Sequence, residues 1–380
     1  MIPRTVYSEE HEMFREQFRK FIEAEVAPFH DQWEEDGQIS REVWRKAGEQ
    51  GFLGPNVPEK FGGLGLDFGY NCIMTEEIAY GGYTGVGFNL HSDIVLPYIY
   101  EYGSPQLIEK YMPRLLSGEL ISAIGITEPG AGSDVKSIRT TAIRNGDHYV
   151  LNGSKTYITN GALADMVIVV AKTDPEAGAK GVTLLFVETN SPGFEKGKKL
   201  KKLGMKAQDT SELFFNNVKV PVENIIGEEG KGFYYLMHNL AQERLTCSVG
   251  AVCAARRAVE EAVKFARERI VFGQPLTTFQ NTQFKLAEMD AQVTQAQVFA
   301  DRCLELFMEG KLDGVTAAKA KMLTTDMQNR VIDDALQIHG GAGYMWEYPI
   351  SRLFADARIT RIFAGSNEVM KMIISREILK

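Results

Sequence analysis

The chain has 380 residues, of which 44% are hydrophobic and 24% charged, with a net charge of −8. That length exceeds one simple core and sets an expectation of two or three domains, while the negative balance argues against nucleic acid as the main partner. Cysteines 72, 247, 253 and 303 show no C-x-x-C spacing and the six histidines form no H-E-x-x-H, so neither a disulfide framework nor a metal site is supported. No run of about 18 apolar residues is present to span a membrane. The opening MIPRTVYSEEHEMFREQ lacks an apolar core and carries early acids, unlike a secretory signal or a transit peptide. The expected location is the bacterial cytoplasm, or the mitochondrial matrix if a presequence has been removed.

From residue 8 to about 118 the pattern is helical. Phe14, Phe18, Phe21, Ile22 and Val26 form one helical stripe over 9–33. Ser40 starts a short helix with Glu42 in its first turn. After the break KFGGLGLDFG come helical stretches at roughly 71–80 and 86–102, and Ser104-Pro105 opens another. Near Leu120 the period becomes that of a strand. Asn145-Gly146, between IRTTAIR and HYVLNG, predicts a hairpin, and MVIVVAKT, VTLLFVET and LFFNNVKV read as further strands. Helical periodicity returns over 232–270, 277–309 and 313–338, with a last helix from about 367. The fold class expected is multi-domain α+β: an N-terminal α-helical domain over 1–119, a middle antiparallel β domain over 120–230, and a C-terminal four-helix bundle over 231–380.

Glu243 lies on the longest of these helices. Leu236, Leu240, Glu243, Cys247 and Ala254 fall three, four or seven apart and share one face, which carries a carboxylate inward among apolar groups. Burial lifts a carboxyl toward neutrality and makes it a general base; the alternative is an internal ion pair with Arg244 or Arg269. Between the first strand and the hairpin, TEPGAGSDV offers Gly130 and Gly132 with the hydroxyls of Thr127 and Ser133, either a phosphate cradle or an ordinary tight loop. In SKTYITNG, Tyr157 and Thr159 are two apart and so share a strand face, an aromatic plane beside a donor that could equally be packing. The segments RERIVFGQPLTTFQ, QIHGGAGYMWEYP and RIFAGSNEVMK are weak alone. No G-x-G-x-x-G follows a strand and no G-x-x-x-x-G-K-[ST] occurs. The six lysines in EKGKKLKKLGMK read as a solvated hairpin, of which one or two could meet an anion.

Taken together and in this order, these segments resemble the acyl-CoA dehydrogenase family over essentially the whole chain. FGGLG, HSDIV, KAQDTSELFF, GFYY, QERL and GYMWEYPI are most similar to its long-chain branch. The resemblance implies FAD between the β domain and the bundle, completed by a second subunit of a homotetramer. Ile124, Gly125, Ile126, Thr127, Gly132 and Ser133 would hold the flavin and its phosphates. In the Tyr157-Ile158-Thr159 stretch, Tyr157 would stack by the isoalloxazine and Thr159 would bond near N5. Arg269, Phe272 and Gln280 would reach the pyrophosphate or adenosine side, and Gln337, Ile338, His339, Gly340 and Gly341 a neighbouring subunit's dinucleotide. Ser366, Asn367 and Glu368 would close the cofactor site. The acyl-CoA would pass Ser133, Tyr234, Ala241, Gln242 and Arg244 and end near Ala364 and Gly365.

One departure from the family pattern is informative. Medium- and short-chain members carry their base in a Tyr-Glu-Gly segment before the last helix, and here that segment is Phe363-Ala364-Gly365. Long-chain and isovaleryl branches take it from the long helix just before an arginine, which here is Glu243 before Arg244. The implied reaction is α,β-dehydrogenation of an acyl-CoA, long-chain or branched, in fatty-acid β-oxidation. Glu243 takes the α-proton, the backbone N–H of Ala364 polarises the thioester carbonyl, and a hydride passes to flavin N5, leaving trans-2-enoyl-CoA. The implied electron acceptor is electron-transferring flavoprotein. Alternatives are a flavin-dependent oxidase or monooxygenase on the same scaffold, marked by rapid reoxidation by oxygen, and a non-catalytic module whose flavin palmitoyl-CoA fails to bleach.

Overall fold

The computed structural model describes residues 2–380. The N-terminal helices are α1 (Glu9–Glu25), α2 (His30–Asp36), α3 (Arg41–Glu49), α4 (Phe68–Gly81), α5 (Leu96–Tyr102) and α6 (Pro105–Leu116), with a π-helical turn, Leu90–Val95, running directly into α5. Ser40 and Ser104 cap α3 and α6 as the sequence predicts, their hydroxyls accepting from Glu42 N at 3.1 Å and Leu107 N at 3.2 Å. The stripe over 9–33 is broken in two. Pro28 follows α1 and offers no N–H to continue the ladder, so the chain turns before α2.

The middle of the chain is one sheet built from β1 (Ser122–Gly125), β2 (Thr141–Asn145), β3 (His148–Thr159), β4 (Met166–Lys172), β5 (Val182–Glu188), β6 (Phe194–Lys199), β7 (Thr210–Pro221) and β8 (Ile225–Ile226), ordered β6-β7-β3-β2-β4-β5-β8. The sheet is mixed rather than wholly antiparallel. β1 runs parallel to β4 from Ser122↔Met166 to Gly125↔Val169, and β2 meets the far end of the same edge in parallel at Thr141↔Lys172. The loop after β1 and the β2–β3 hairpin provide the crossover that parallel pairing requires. In that hairpin only Gly146, of the two central residues, takes a positive φ, at 65°. An I′ turn, usual for Asn-Gly, would need a positive φ at both central residues, so this hairpin turns by another route. β4 and β5 are buried on both faces, which explains their unbroken apolar runs. One face packs Ile168, Val170, Leu184 and Phe186 against Leu96, Ile99, Tyr111 and Leu115 of α5 and α6.

The C-terminal part holds α7 (Gly232–Glu268), a short hairpin of β9 (Ile270–Val271) and β10 (Gln274–Pro275), α8 (Gln280–Met308), α9 (Gly314–His339), α10 (Pro349–Ala357) and α11 (Asn367–Ile378). α10 was not expected from the sequence. Its signals are Pro349 in the first turn and the buried face Ile350, Leu353 and Ala357. α7 packs on α4, the π turn, β5, α8 and α9, so its middle is enclosed on most sides rather than along one stripe.

Two junctions hold the three parts together. Arg4 forms ion pairs with Glu76 on α4 at 2.7 Å and Asp301 on α8 at 2.6 Å. Asp356 on α10 is buried and accepts from Thr84 Oγ1 at 2.6 Å and from the N–H of Met205 in the loop after β6. At Gly204 a Cβ would collide with the carbonyl of Ala355, so only glycine lets that loop approach. Four of the six lysines between 196 and 206 make contacts within the protein, although Lys196, Lys198, Lys199 and Lys201 remain exposed as expected. Lys196 bonds Ala162 O at 3.0 Å, Lys199 bonds Asp36 O at 2.7 Å, Lys202 bonds Thr210 Oγ1 at 3.0 Å, and Lys206 sits 3.4 Å from the Trp346 ring centroid. The hairpin is therefore solvated, as expected, and also serves as a docking element for the rest of the chain.

Burial pushes the Asp356 carboxyl up to about 6. Asp356→Ala leaves the Met205 N–H and the Thr84 hydroxyl without their acceptor, at a cost of about 2–4 kcal/mol. Denaturant unfolding at pH 7 should show that loss.

Candidate active site

The loop after β1 and the end of β3 are brought together as expected. Thr156 N donates to Thr127 O at 2.9 Å. Beneath them lies a group that sequence reasoning missed. Lys155, wholly buried, donates to Glu128 Oε1 at 2.7 Å and Ile126 O at 3.1 Å. Glu128 also accepts from the N–H of Arg139 at 2.6 Å and of Thr140 at 3.0 Å. A buried, multiply bonded pair of this kind fixes geometry more than it adds stability. The Lys155 stem passes close to Gly125, where a Cβ would lie only 3.2 Å from it.

Gly130 and Gly132 behave differently. Neither has a positive φ, and a Cβ on either would meet no protein atom within 4 Å. Neither backbone freedom nor crowding by a protein neighbour therefore explains them. Gly132 and Ser133 are exposed, while Ile124, Ile126 and Thr127 are half-buried.

Tyr157 and Thr159 do not share a simple strand face. Between Lys155↔Leu213 and Ile158↔Ser211, β3 carries one extra residue, and Tyr157 sits at φ 60°. That bulge re-aims the ring outward, 69% exposed, while Ile158 is buried and Thr159 half-buried. A non-glycine residue in this region is strained by roughly 1 kcal/mol, a cost found at functional positions.

On α7, Glu243 is 7% exposed and Gln242 and Arg244 are also buried. The internal ion pair does not form. Among the described residues Glu243 has no cation within 4.0 Å, and Arg269 is exposed twenty-six residues along the helix, ~39 Å at 1.5 Å per residue. The Glu243 carboxyl receives a hydrogen bond from the Tyr98 hydroxyl at 3.1 Å. Burial, opposed by Tyr98 and then by Arg244, pushes it up to about 7. Arg244 has a sealed Nε without a partner and one long bond to Gly314 O at 3.4 Å. Gln242 Nε2 donates to Asp93 O at 2.6 Å. Ala241 is half-buried and Tyr234 exposed nearer the start of the helix.

The loop before α11 is held by a second residue that sequence reasoning missed. Lys321 on α9 donates to Gly365 O at 2.8 Å and to Asn367 Oδ1 at 2.9 Å. Ala364 takes φ 51°, and its N–H donates to no acceptor among the described residues. Asn367 is buried, bonded also to Thr325 and Asp326, so its side chain is committed to the protein. Ser366 caps α11, and Glu368 is exposed.

The remaining predicted residues form a separate cluster at the other end of α7. Arg269 ends the helix, and Phe272-Gly273 form a tight turn with φ 52° and 80°, Phe272 being 92% exposed. Gln280 begins α8 nearby. His339 is buried, its Nδ1 at 2.7 Å from Ala335 O and its ring stacked on Phe265 of α7, so its side chain is internal; Gln337, Gly340 and Gly341 around it are exposed, and Ile338 is half-buried. The two clusters of sequence-predicted residues thus lie about 40 Å apart along α7.

Family models for the acyl-CoA dehydrogenase N-terminal, middle and C-terminal domains match residues 8–119, 123–218 and 230–379. The chain is 49% identical over 378 residues to the mitochondrial long-chain specific acyl-CoA dehydrogenase of Rattus norvegicus, covering 99% of this chain and 88% of that one. A crystal structure of an acyl-CoA dehydrogenase from Geobacillus kaustophilus superposes with TM-score 0.97 at 48% identity, covering 99% and 100% of the two chains. One from Bacillus anthracis, complexed with FAD, gives TM-score 0.92 at 34% identity over 98% of this chain and 67% of that one. With the helical, β and helical parts matched in order along nearly the whole length, the chain belongs to the acyl-CoA dehydrogenase family.

Proposed function

We propose that the protein is an FAD-dependent dehydrogenase of long-chain acyl-CoA in fatty-acid β-oxidation, in which Glu243 removes the α-proton. The observation that carries this reading is a buried carboxyl with no cationic partner on α7, in a chain whose loop before α11 has no acid. Glu243 Oε2 has no hydrogen bond among the described residues and is not sealed from solvent, so one oxygen is free to act. A base poised near neutral pH matches the work of general-base catalysis.

FAD fits the β-domain residues on three grounds. The two glycines spare space that no protein atom uses, Tyr157 is turned outward by a bulge, and the Lys155–Glu128 pair holds the loop between them. Bound there, FAD supplies the acceptor for the β-hydrogen and its two electrons. The chain's own part is electrostatic and positional. The free N–H of Ala364, set by the Lys321 clamp, would donate to the thioester carbonyl and stabilise the negative charge that develops as the α-proton leaves. Arg244 presents an unsatisfied cation beside the base, and exclusion of water around α7 strengthens both interactions.

The half-site at Arg269, Phe272, Gln280 and 337–341 is out of reach of Glu243 in its own chain. It supports completion of each cofactor site by a neighbouring subunit, in a homotetramer. Electron-transferring flavoprotein is the proposed electron acceptor. Placing the base on the helix and alanine in the loop leaves room for a long or branched acyl chain. An anaerobic titration with acyl-CoAs of graded length, followed by flavin absorbance, tests this: long chains should bleach the flavin, and failure of every chain would sink the reading.

Glu243→Gln should lower turnover by two orders of magnitude or more. The same change should raise stability at pH 8. The folded state holds the carboxyl near 7 against an ordinary 4.5, so ionising it there opposes folding by up to about 3 kcal/mol, a loss that sets in as pH rises from 4.5 to 7. Because the carboxylate is the active form, the rate of flavin reduction should rise with pH through about 7 and then level. A profile flat from pH 5.5 to 8.5 would contradict the assignment.

A further inference from the structure

We propose that Tyr98 is the positioning residue of the base: its hydroxyl fixes Oε1 of Glu243 and leaves Oε2 directed at the substrate. The inference rests on the reading of Glu243 as the base and adds the group that aims it. Tyr98 is fully buried, and its O–H donates to Oε1 at 3.1 Å. No other hydrogen bond reaches that carboxyl among the described residues. A carboxylate held by one oxygen has a defined direction for the other, whereas an untethered one would sample several rotamers.

The fold sets this contact from both sides. The π turn Leu90–Val95 feeds directly into α5, and the wider winding re-phases the following side chains by up to about 100° per added residue. Gln242, next to the base, bonds the carbonyl of Asp93 in that turn at 2.6 Å. One turn beyond Tyr98, the ring of Tyr102 stacks on Tyr235 of α7 with centroids 4.2 Å apart. α5 is therefore pinned to α7 before and after Tyr98, and the hydroxyl between has little freedom.

The other titratable groups near the base are few. Arg244 and Cys247 lie on its own helix, Lys321 on α9 beyond Cys247, Asp93 on the π turn, and Glu101 and Tyr102 on α5. Burial pushes Cys247 up to about 12 and Asp93 up to about 8, so both are mainly neutral at pH 7. Burial also holds the Tyr98 hydroxyl well above its ordinary value, so it remains a donor across the working range. A hydrogen bond to the charged form favours that form. Tyr98 therefore opposes burial, keeping Glu243 ionised at a lower pH than its enclosure alone would allow.

The test is the pH profile of single-turnover flavin reduction by palmitoyl-CoA in the FAD-loaded enzyme, without oxygen. In Tyr98→Phe the acidic limb should move up by about one pH unit and the plateau above it should fall as the carboxylate loses its aim, so that the loss below the limb is about tenfold greater than the loss on the plateau. A limb that stays in place, or a loss equal at all pH values, overturns the proposal. Should Tyr98→Phe not fold, 3-fluorotyrosine at position 98 keeps the shape and offers a more acidic donor. It should move the limb down, and an unmoved limb overturns the proposal equally. Glu243→Gln separates this inference from the one beneath it. If that variant is inactive and neither change at 98 moves the limb, only the role of Tyr98 falls; if it stays active, the base assignment falls and this inference with it.

Discussion

Enclosing Glu243 is unfavourable on its own terms, and much of the structure is arranged around it. Among the described residues no ion pair answers the carboxyl, which lies in the first third of a helix of 37 residues, ~55 Å long. That helix is enclosed by all three parts of the chain: α4, the π turn and α5 from the N-terminal helices, β5 from the sheet, and α8 and α9 from the bundle. Stripping the layers that cover its first half would return the acid to water. The N-terminal helices therefore contribute to the site mainly by closing it, with Tyr98 and Gln242 marking where they seal onto α7.

A long helix also separates what it carries. Arg269 and the Phe272-Gly273 turn sit at its far end from Glu243. Between them the helix is packed along most of its surface, so neither group can swing toward the other. Clamps set two of the segments grouped with Glu243: Lys155 with Glu128 under the loop after β1, and Lys321 over Gly365 and Asn367 before α11. Both clamps are lysines buried by the fold, each bonded to a main-chain carbonyl and one side-chain oxygen.

The periodicity of the chain made the order of helical, β and helical parts legible. So were the caps at Ser40 and Ser104, because capping is a local interaction between a hydroxyl and an N–H two or three residues on. Glu243 was legible because its face is apolar at helical spacing. What stayed hidden depends on contacts distant in sequence or on a change of phase. Nothing local marks Lys155 as buried, since its acceptors lie at 126 and 128. The π turn, the bulge at Tyr157 and the parallel edge at β1 each break the regular period on which strand and helix assignments rest. The lysine-rich hairpin was half legible: charge rightly suggested solvent, but did not show that several ammonium groups also dock neighbouring segments.

The two glycines in the loop after β1 carry a consequence of a different kind. Nothing in the polypeptide requires them, since neither bends the backbone into the left-handed region and neither is crowded by a neighbour. A chain with alanine at both positions would fold, pack and melt like its parent, and pass every assay of structural integrity. If FAD lies over this loop as proposed, the defect would show as colour: a properly built protein, pale where the parent is yellow.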